Sequence, residues 1–318
     1  MKSVLNVSSS PHIKHPDTTS GIMLDVTIAL LPACVFGCII FGWRAAAVLV
    51  TCVAAAVLSE LIWNKILKKD ITIGDFSAVV TGLLLGMNLP ARTPLWIAAL
   101  GSVVAIIVVK QMFGGLGCNF ANPAITARIV LLVSFPSVMS NYDFSLIDTA
   151  TGATPLAYLS TEAADIPQAV NFTNLFFGLE KGCIGETSAF LLLVGGLYLV
   201  LRRVISPVIP VSFIGTVALL SLISGDNVSI AVFGGGLMLG AIYMATDYTT
   251  SPTMPLGKLI FGIGCGLITF VIRKFAALPE GVSYSILVMN ILVPYINRIT
   301  LKKPFGITAV KKEAVPNE

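Results

Sequence analysis

Charge is what this chain has least of. Only 11% of its 318 residues are charged and 56% are hydrophobic, where a soluble domain carries about 25% charged residues. Mean hydropathy is +0.91. A fully water-exposed surface cannot be built from that supply. The bilayer is the solvent, and backbone polar groups must be satisfied inside helices. Histidine is scarce as well: His12 and His15 stand in a polar arm without cysteine or acidic companions, a weak metal signal. The six cysteines are Cys34, Cys38, Cys52, Cys118, Cys183 and Cys265. None forms a Cys-x-x-Cys pair, and most fall in apolar runs, so they read as small buried hydrophobes. An iron–sulfur cluster needs converging thiolates. Only Cys118 is a candidate to join such a site, shared with another chain. The opening residues 1–20 have no hydrophobic run of the signal-peptide kind and read as a short soluble arm.

What is present is a series of apolar runs. Their lengths predict about ten membrane helices. The runs lie near 22–42, 45–64, 74–90, 93–110, 120–138, 187–205, 208–224, 229–247, 255–274 and 282–301. The third and fifth are short or interrupted by Gly, Asn and Pro. The fold class is all-α integral membrane. Gly82-Leu83-Leu84-Leu85-Gly86 recurs as Gly236-Leu237-Met238-Leu239-Gly240, and Pro94-Leu95 as Pro255-Leu256. These echoes predict two inverted five-helix repeats, 21–138 and 187–301, with a site near their interface. Shared Gly-Leu-rich composition is the plainer explanation, since small residues let helices approach closely.

Orientation follows from Lys and Arg. With the N-terminus inside, the inner segments hold Lys2, Lys14, Lys65, Lys68, Lys69, Lys110, Arg202, Arg203, Lys258, Arg298, Lys302, Lys303, Lys311 and Lys312. The outer segments hold Arg44, Arg92, Lys181, Arg273 and Lys274. Both termini, including the tail 302–318, are therefore expected in the cytoplasm. The net charge of +4 is scattered among loops and does not point to nucleic acid. The one long loop, 139–186, falls outside, and a loop of that length is more often functional than a connector. Its Cys183 is expected to react with an impermeant thiol reagent from the outside.

Within that loop runs Asp148-Thr149-Ala150-Thr151-Gly152-Ala153-Thr154-Pro155. Gly152 and Ala153 give the Thr154 hydroxyl little cover, and Pro155 restricts the backbone after it. An external enzyme could modify such a hydroxyl. The bland alternative is a turn-rich loop. Four ionisable residues fall within or near the ends of spans: Asp25, Glu60, Arg128 and Asp247. Such groups are costly in lipid and are functional candidates by default. Glu60, however, could pair with or snorkel toward Lys65–Lys69, and Arg128 could pair with a carboxylate or hold a phosphate. Asn119 and Asn122 share a face if their segment is helical. Asn122 before Pro123 is also a good helix cap.

The chain resembles the RnfD family, the flavin-carrying membrane subunits of Rnf complexes. It is also similar to the B subunit of the sodium-pumping NADH:quinone reductase. The resemblance covers essentially the whole chain. It rests on Ser9-Ser10-Pro11-His12, Gly114-Gly115-Leu116-Gly117-Cys118-Asn119, Asn122-Pro123-Ala124 and Thr151-Gly152-Ala153-Thr154. Thr151 stands where many members have serine, upstream of the modified threonine. The resemblance implies an electron relay in an ion pump coupling ferredoxin and NAD. It implies FMN joined to Thr154 by a phosphoester, placed there by a flavin transferase, and a non-covalent riboflavin for which Asn119 and Asn122 are candidates. Other Rnf subunits are the implied partners, and the cell membrane the implied location. The chain alone has no nicotinamide fingerprint or cluster motif, so it is not expected to catalyse the overall reaction. A flavin-free channel or transporter, or a structural scaffold, remains the competing reading.

Overall fold

The apolar runs fold into helices whose ends are set by a few polar residues and prolines. The structure is a computed structural model that describes residues 18–142, 155–159, 171–178, 182–276 and 281–301. Asp148, Thr151, Gly152, Ala153 and Thr154, with most of the arm and the tail, lie outside the described residues. Thr18 opens α1 (Thr19–Phe41), its hydroxyl accepting from Gly21 N at 3.2 Å. Gly42, at φ +77°, turns the chain into α2 (Trp43–Ile66). α3 (Ser77–Met87) and α4 (Leu95–Val103) follow, and α4 continues as a π-helical stretch over Val104–Gln111. α5 (Pro123–Ser134) starts on Asn122-Pro123, and α6 (Pro136–Met139) and α7 (Phe172–Phe177) are short.

The second half holds α8 (Ala189–Leu201), α9 (Val208–Ser224), α10 (Val228–Phe233) and α11 (Leu237–Leu239). α11 runs into a π-helical stretch over Gly240–Met244. α12 (Pro255–Phe275) and α13 (Gly281–Thr300) complete it. No strand occurs among the described residues.

Among the described residues, four helices are long and apolar enough to cross a bilayer: α1, α2, α12 and α13. The expected run at 229–247 is interrupted instead, broken at Gly234–Gly236, where Gly235 sits at φ +69°. α3 has 11 residues, about 16 Å of helix against about 30 Å of hydrocarbon. Broken elements of this kind are tolerated at membrane depth only where protein covers them. One core does so, joining residues from α1 through α13, among them Leu30, Leu85, Ile125, Phe213, Leu239 and Ile286.

Two close approaches hold the core. A Cβ on Gly82 would lie 2.8 Å from both Cys52 O and Val53 Cα, so α3 presses on the α2 backbone. A Cβ on Gly195 would collide with Ala29 O and the Tyr243 hydroxyl, where α8 meets α1 and the π stretch. Neither set of neighbours is a flexible tip that could swing away. The Gly82→Ala variant is therefore expected to lose about 1–3 kcal/mol of stability. A lowered thermal midpoint of the purified protein in detergent checks this. An unchanged midpoint would show that the α2–α3 contact can open without cost.

Candidate functional site

Two polar centres lie inside the bundle, and between them they use most of the ionisable residues singled out from the sequence. The first surrounds Arg128 of α5, which is 3% exposed. Its Nη1 donates to Asn88 Oδ1 at 2.9 Å and to Ser283 Oγ at 3.0 Å. Its Nη2 lies 3.7 Å from Glu186 Oε1 and donates to Cys183 Sγ at 3.7 Å. One guanidinium thus joins the end of α3, α5, the first turn of α13 and the segment before α8. That segment is not a surface loop at this point. Ile184 N donates to Leu89 O at 3.1 Å, and Cys183 is fully buried.

Burial also pushes the Cys183 thiol up to about 12, so it is a neutral thiol, and thiols react as thiolates. The expectation that Cys183 is open to an external reagent is therefore corrected. Burial, followed by Cys183 and Glu186, raises the Tyr142 phenol above its ordinary range.

Beside this centre lies the short described piece that follows Thr154. Pro155 and Leu156 are buried, and Pro155–Tyr158 form a single 3-10 turn against α10. Leu156 Cδ1 sits 2.5 Å from where a Cβ on Gly235 would be, and Arg273 Nη2 is 3.6 Å from the same point. Only glycine fits there. Arg273 Nη1 donates to Ala231 O at 2.6 Å and Nη2 to Gly234 O at 3.4 Å, while its buried Nε has no partner.

The second centre is a partly open cleft between the two halves, with a cavity volume of about 80 Å³. The first half contributes Met23 and Val26 of α1, Thr81 and Leu84 of α3, Lys110, Asn119 and Asn122. The second contributes Leu199, Tyr243, Asp247, Tyr248 and Thr249. Ligand pockets are apolar with a few placed polar groups, and this lining has that character, although the space between the side chains as they stand is smaller than a drug-sized ligand needs. Asn119 and Asn122 do meet at one site, although residues 114–121 are not helical. They differ in what they have left to offer. Asn122 caps α5, its Oδ1 accepting from Ala124 N at 3.0 Å and Ile125 N at 3.3 Å, and its Nδ2 donates to Met244 O at 3.1 Å. Asn119 Oδ1 is buried with no hydrogen-bond partner, so it is the amide oxygen of this pair with capacity left to accept.

Lys110, at 1% exposure, forms one wall of the cleft. Its Nζ donates to Glu60 Oε2 at 3.0 Å, Glu60 Oε1 at 3.2 Å and Ser77 Oγ at 2.6 Å. Gln111 Nε2 and Thr72 Oγ1 also donate to Glu60 Oε1, at 3.0 and 2.7 Å. Glu60 is thus held by a cation 50 residues away and not by the neighbouring Lys65–Lys69 segment. Asp25 pairs with Arg202 at 3.0 Å and accepts from Tyr198 at 2.9 Å. Neither Lys110 nor Arg202 stands out by local pattern.

Comparison with known proteins gives a consistent result. The family model described as NQR2, RnfD, RnfE matches residues 6–306. The chain is 49% identical, over 98% of both chains, to the D subunit of the Na(+)-translocating ferredoxin:NAD(+) oxidoreductase complex of Acetobacterium woodii. It is 41% identical to the proton-translocating counterpart of Clostridium ljungdahlii, over 96% of this chain and 97% of that one. It is 38% identical to the D subunit of the ion-translocating oxidoreductase complex of Stutzerimonas stutzeri, over 92% and 94%.

The buried Glu60–Lys110 pair makes a quantitative expectation. Lys110→Met leaves a carboxylate without its cation and should cost about 3–5 kcal/mol. Lys110→Met with Glu60→Gln removes both charges and should recover most of that loss. Thermal midpoints of the two variants against the parent check it, and equal losses in both would show that the pair is not coupled.

Proposed function

Because the chain belongs to the NQR2, RnfD, RnfE family, we propose that it is the D-type membrane subunit of an ion-translocating ferredoxin:NAD oxidoreductase complex, relaying electrons through two flavins. The observation that carries the reading, beyond family membership, is the cleft between the halves with the unpartnered Asn119 oxygen in its wall. A flavin, when bound, supplies the one- and two-electron redox chemistry, and the protein supplies position and electrostatics.

The non-covalent flavin, riboflavin, is assigned to this cleft. The Asn119 amide oxygen would accept from an imide N–H of the ring. Tyr243 and Tyr248 offer aromatic surface. Asn122 acts through the fold, fixing the start of α5 and the Met244 carbonyl. An inverted duplication of the two halves accounts for a site at their interface.

The covalent flavin, FMN, is assigned to Thr154, with Asp148, Thr151, Gly152 and Ala153 as the segment a flavin transferase reads. The transferase brings the threonine oxygen in line with the pyrophosphate of FAD. The oxygen–phosphorus bond forms as the phosphoanhydride breaks and AMP leaves. That displacement depends on positioning and charge neutralisation. Thr154 is bonded to Pro155, and Leu156 is anchored against Gly235. Arg273, with a buried Nε that bonds nothing else, is the cation of that corner and suits a phosphate.

Both termini are assigned to the cytoplasm and the flavin loop to the outside, on the distribution of Lys and Arg. The chain would lie in the cell membrane beside the other Rnf subunits.

Thr154→Ala should leave membrane insertion intact and remove the flavin fluorescence that survives denaturation. Mass spectrometry of the 139–186 peptide from cells with an active flavin transferase checks it, and an unmodified mass would sink the assignment. Asn119→Leu should lower acid-extractable riboflavin in the purified complex while the covalent flavin stays. One lost hydrogen bond of about 0.5–1.5 kcal/mol corresponds to a roughly two- to twelve-fold weaker site. Riboflavin retained at parental affinity would place the second flavin elsewhere.

A further inference from the structure

A second cavity, of about 310 Å³ and partly open, lies where α8 ends and where α9 and α12 begin. It is several times the about 30 Å³ share of one water. Arg203 reaches it from the end of α8, Ser206 from the approach to α9, and Lys258 from the first turn of α12. Ser251 adds a hydroxyl, and Val204 and Ile209 are part of an apolar floor.

Two cations and no carboxylate line this cavity. The four described ion pairs use Lys110, Arg128, Arg202 and Lys274. Neither Arg203 nor Lys258 is neutralised among the described residues. Asp247 stands between Thr246 and Tyr248 in the chain, but it lines the other cleft and accepts from Thr249 and Thr250. Asp25 is taken by Arg202. The starts of α9 and α12 bring the positive ends of two helix dipoles to the same place.

Arg203 itself is in an unusual setting, at φ +59°. Its N–H donates to Val200 O and Val204 N donates to Leu199 O, each at 2.9 Å. That is a helix ending in which glycine is the favoured residue. Arginine there is conformationally dearer than glycine, and what it adds is a guanidinium at the mouth of the cavity. The last carbonyls of α8 do not call for it, since Tyr198 O, Leu199 O and Val200 O already accept from backbone N–H groups. Near these cations in the chain, Leu201, Leu256 and Leu259 are exposed, which gives acyl chains a surface beside the polar mouth.

We propose that this cavity holds the phosphodiester head group of an anionic phospholipid. Arg203 presents its planar fork to the phosphate oxygens and Lys258 a point charge. Ser206 and Ser251 are placed to meet the glycerol. Basic pockets between membrane helices take head groups of this kind. Free phosphate would satisfy the same two cations, and the exposed leucines favour the lipid. Binding here is independent of any flavin.

The test uses the assembled complex, washed of lipid in detergent and titrated with phosphatidylglycerol, phosphatidylcholine or inorganic phosphate. Native mass spectrometry counts bound lipid, and the thermal midpoint reports occupancy. Phosphatidylglycerol should bind saturably and raise the midpoint of the parental complex, and phosphatidylcholine should not. Arg203→Gly should keep or raise the lipid-free midpoint, because glycine suits the positive φ. It should also weaken phosphatidylglycerol binding about five-fold, the worth of one basic residue at an anionic membrane surface. Lys258→Gln should weaken it by a similar factor, and the double variant should lose one bound lipid. Lys65→Gln, at an exposed lysine of another segment, should change nothing. Equal weakening in Lys65→Gln would mean diffuse charge attraction and overturns the site. So does parental phosphatidylglycerol affinity in the double variant. A midpoint rise with inorganic phosphate alone, lost in the double variant, makes this a free-phosphate site and overturns the lipid assignment.

Discussion

A helix that stops inside a bilayer leaves amides and carbonyls with no water to meet them, and this chain stops several helices there. The whole interior is organised by how those groups are satisfied, largely by asparagine. Asn88, at the end of α3, donates to Leu84 O at 2.7 Å and accepts from Arg128. Asn122 caps α5 and holds the Met244 carbonyl. Asn290 of α13, with its amide turned to suit its neighbours, accepts from Asn122 N at 3.1 Å and donates to Thr250 O at 3.0 Å. An amide serves because it donates and accepts at once without carrying charge. These links tie the interrupted helices of one half to those of the other, and the cleft is the space left between them.

Much of the helical framework was legible from run length, because a membrane span is a statement about composition. The run 208–224 coincides with α9, and 255–274 with α12 to within a residue. The run 229–247 was not legible as two pieces. Three uncharged glycines do not end an apolar run, and hydropathy says nothing of a positive φ. Asn122-Pro123 was readable as a cap because capping is local. The partners of Arg128 and Glu60 were not, since Glu186 and Lys110 are 58 and 50 residues away in the chain. The free Asn119 oxygen is likewise a fact of tertiary packing. Thr154 was legible only through its motif and lies outside the described residues.

The relatives bear on which parts of this architecture are general. At 49% and 41% identity, one is named for sodium and the other for protons. Relatives named for different ions thus both align with nearly the whole length of this chain. The Glu60–Lys110 and Arg128–Glu186 pairs are buried, whereas Arg202 and Lys274 keep part of their side chains exposed.

The buried turn at Pro155–Leu159 has a consequence for any group carried by the residue before it. Two residues of chain reach at most about 7 Å, so Leu156 acts as the pivot of a very short tether. A group on such a tether is held near its neighbours by connectivity, at the millimolar or higher effective concentration of a short linker. It needs no binding pocket of its own to stay there. The glycine at 235, by admitting one leucine, would then fix where any such group can reach.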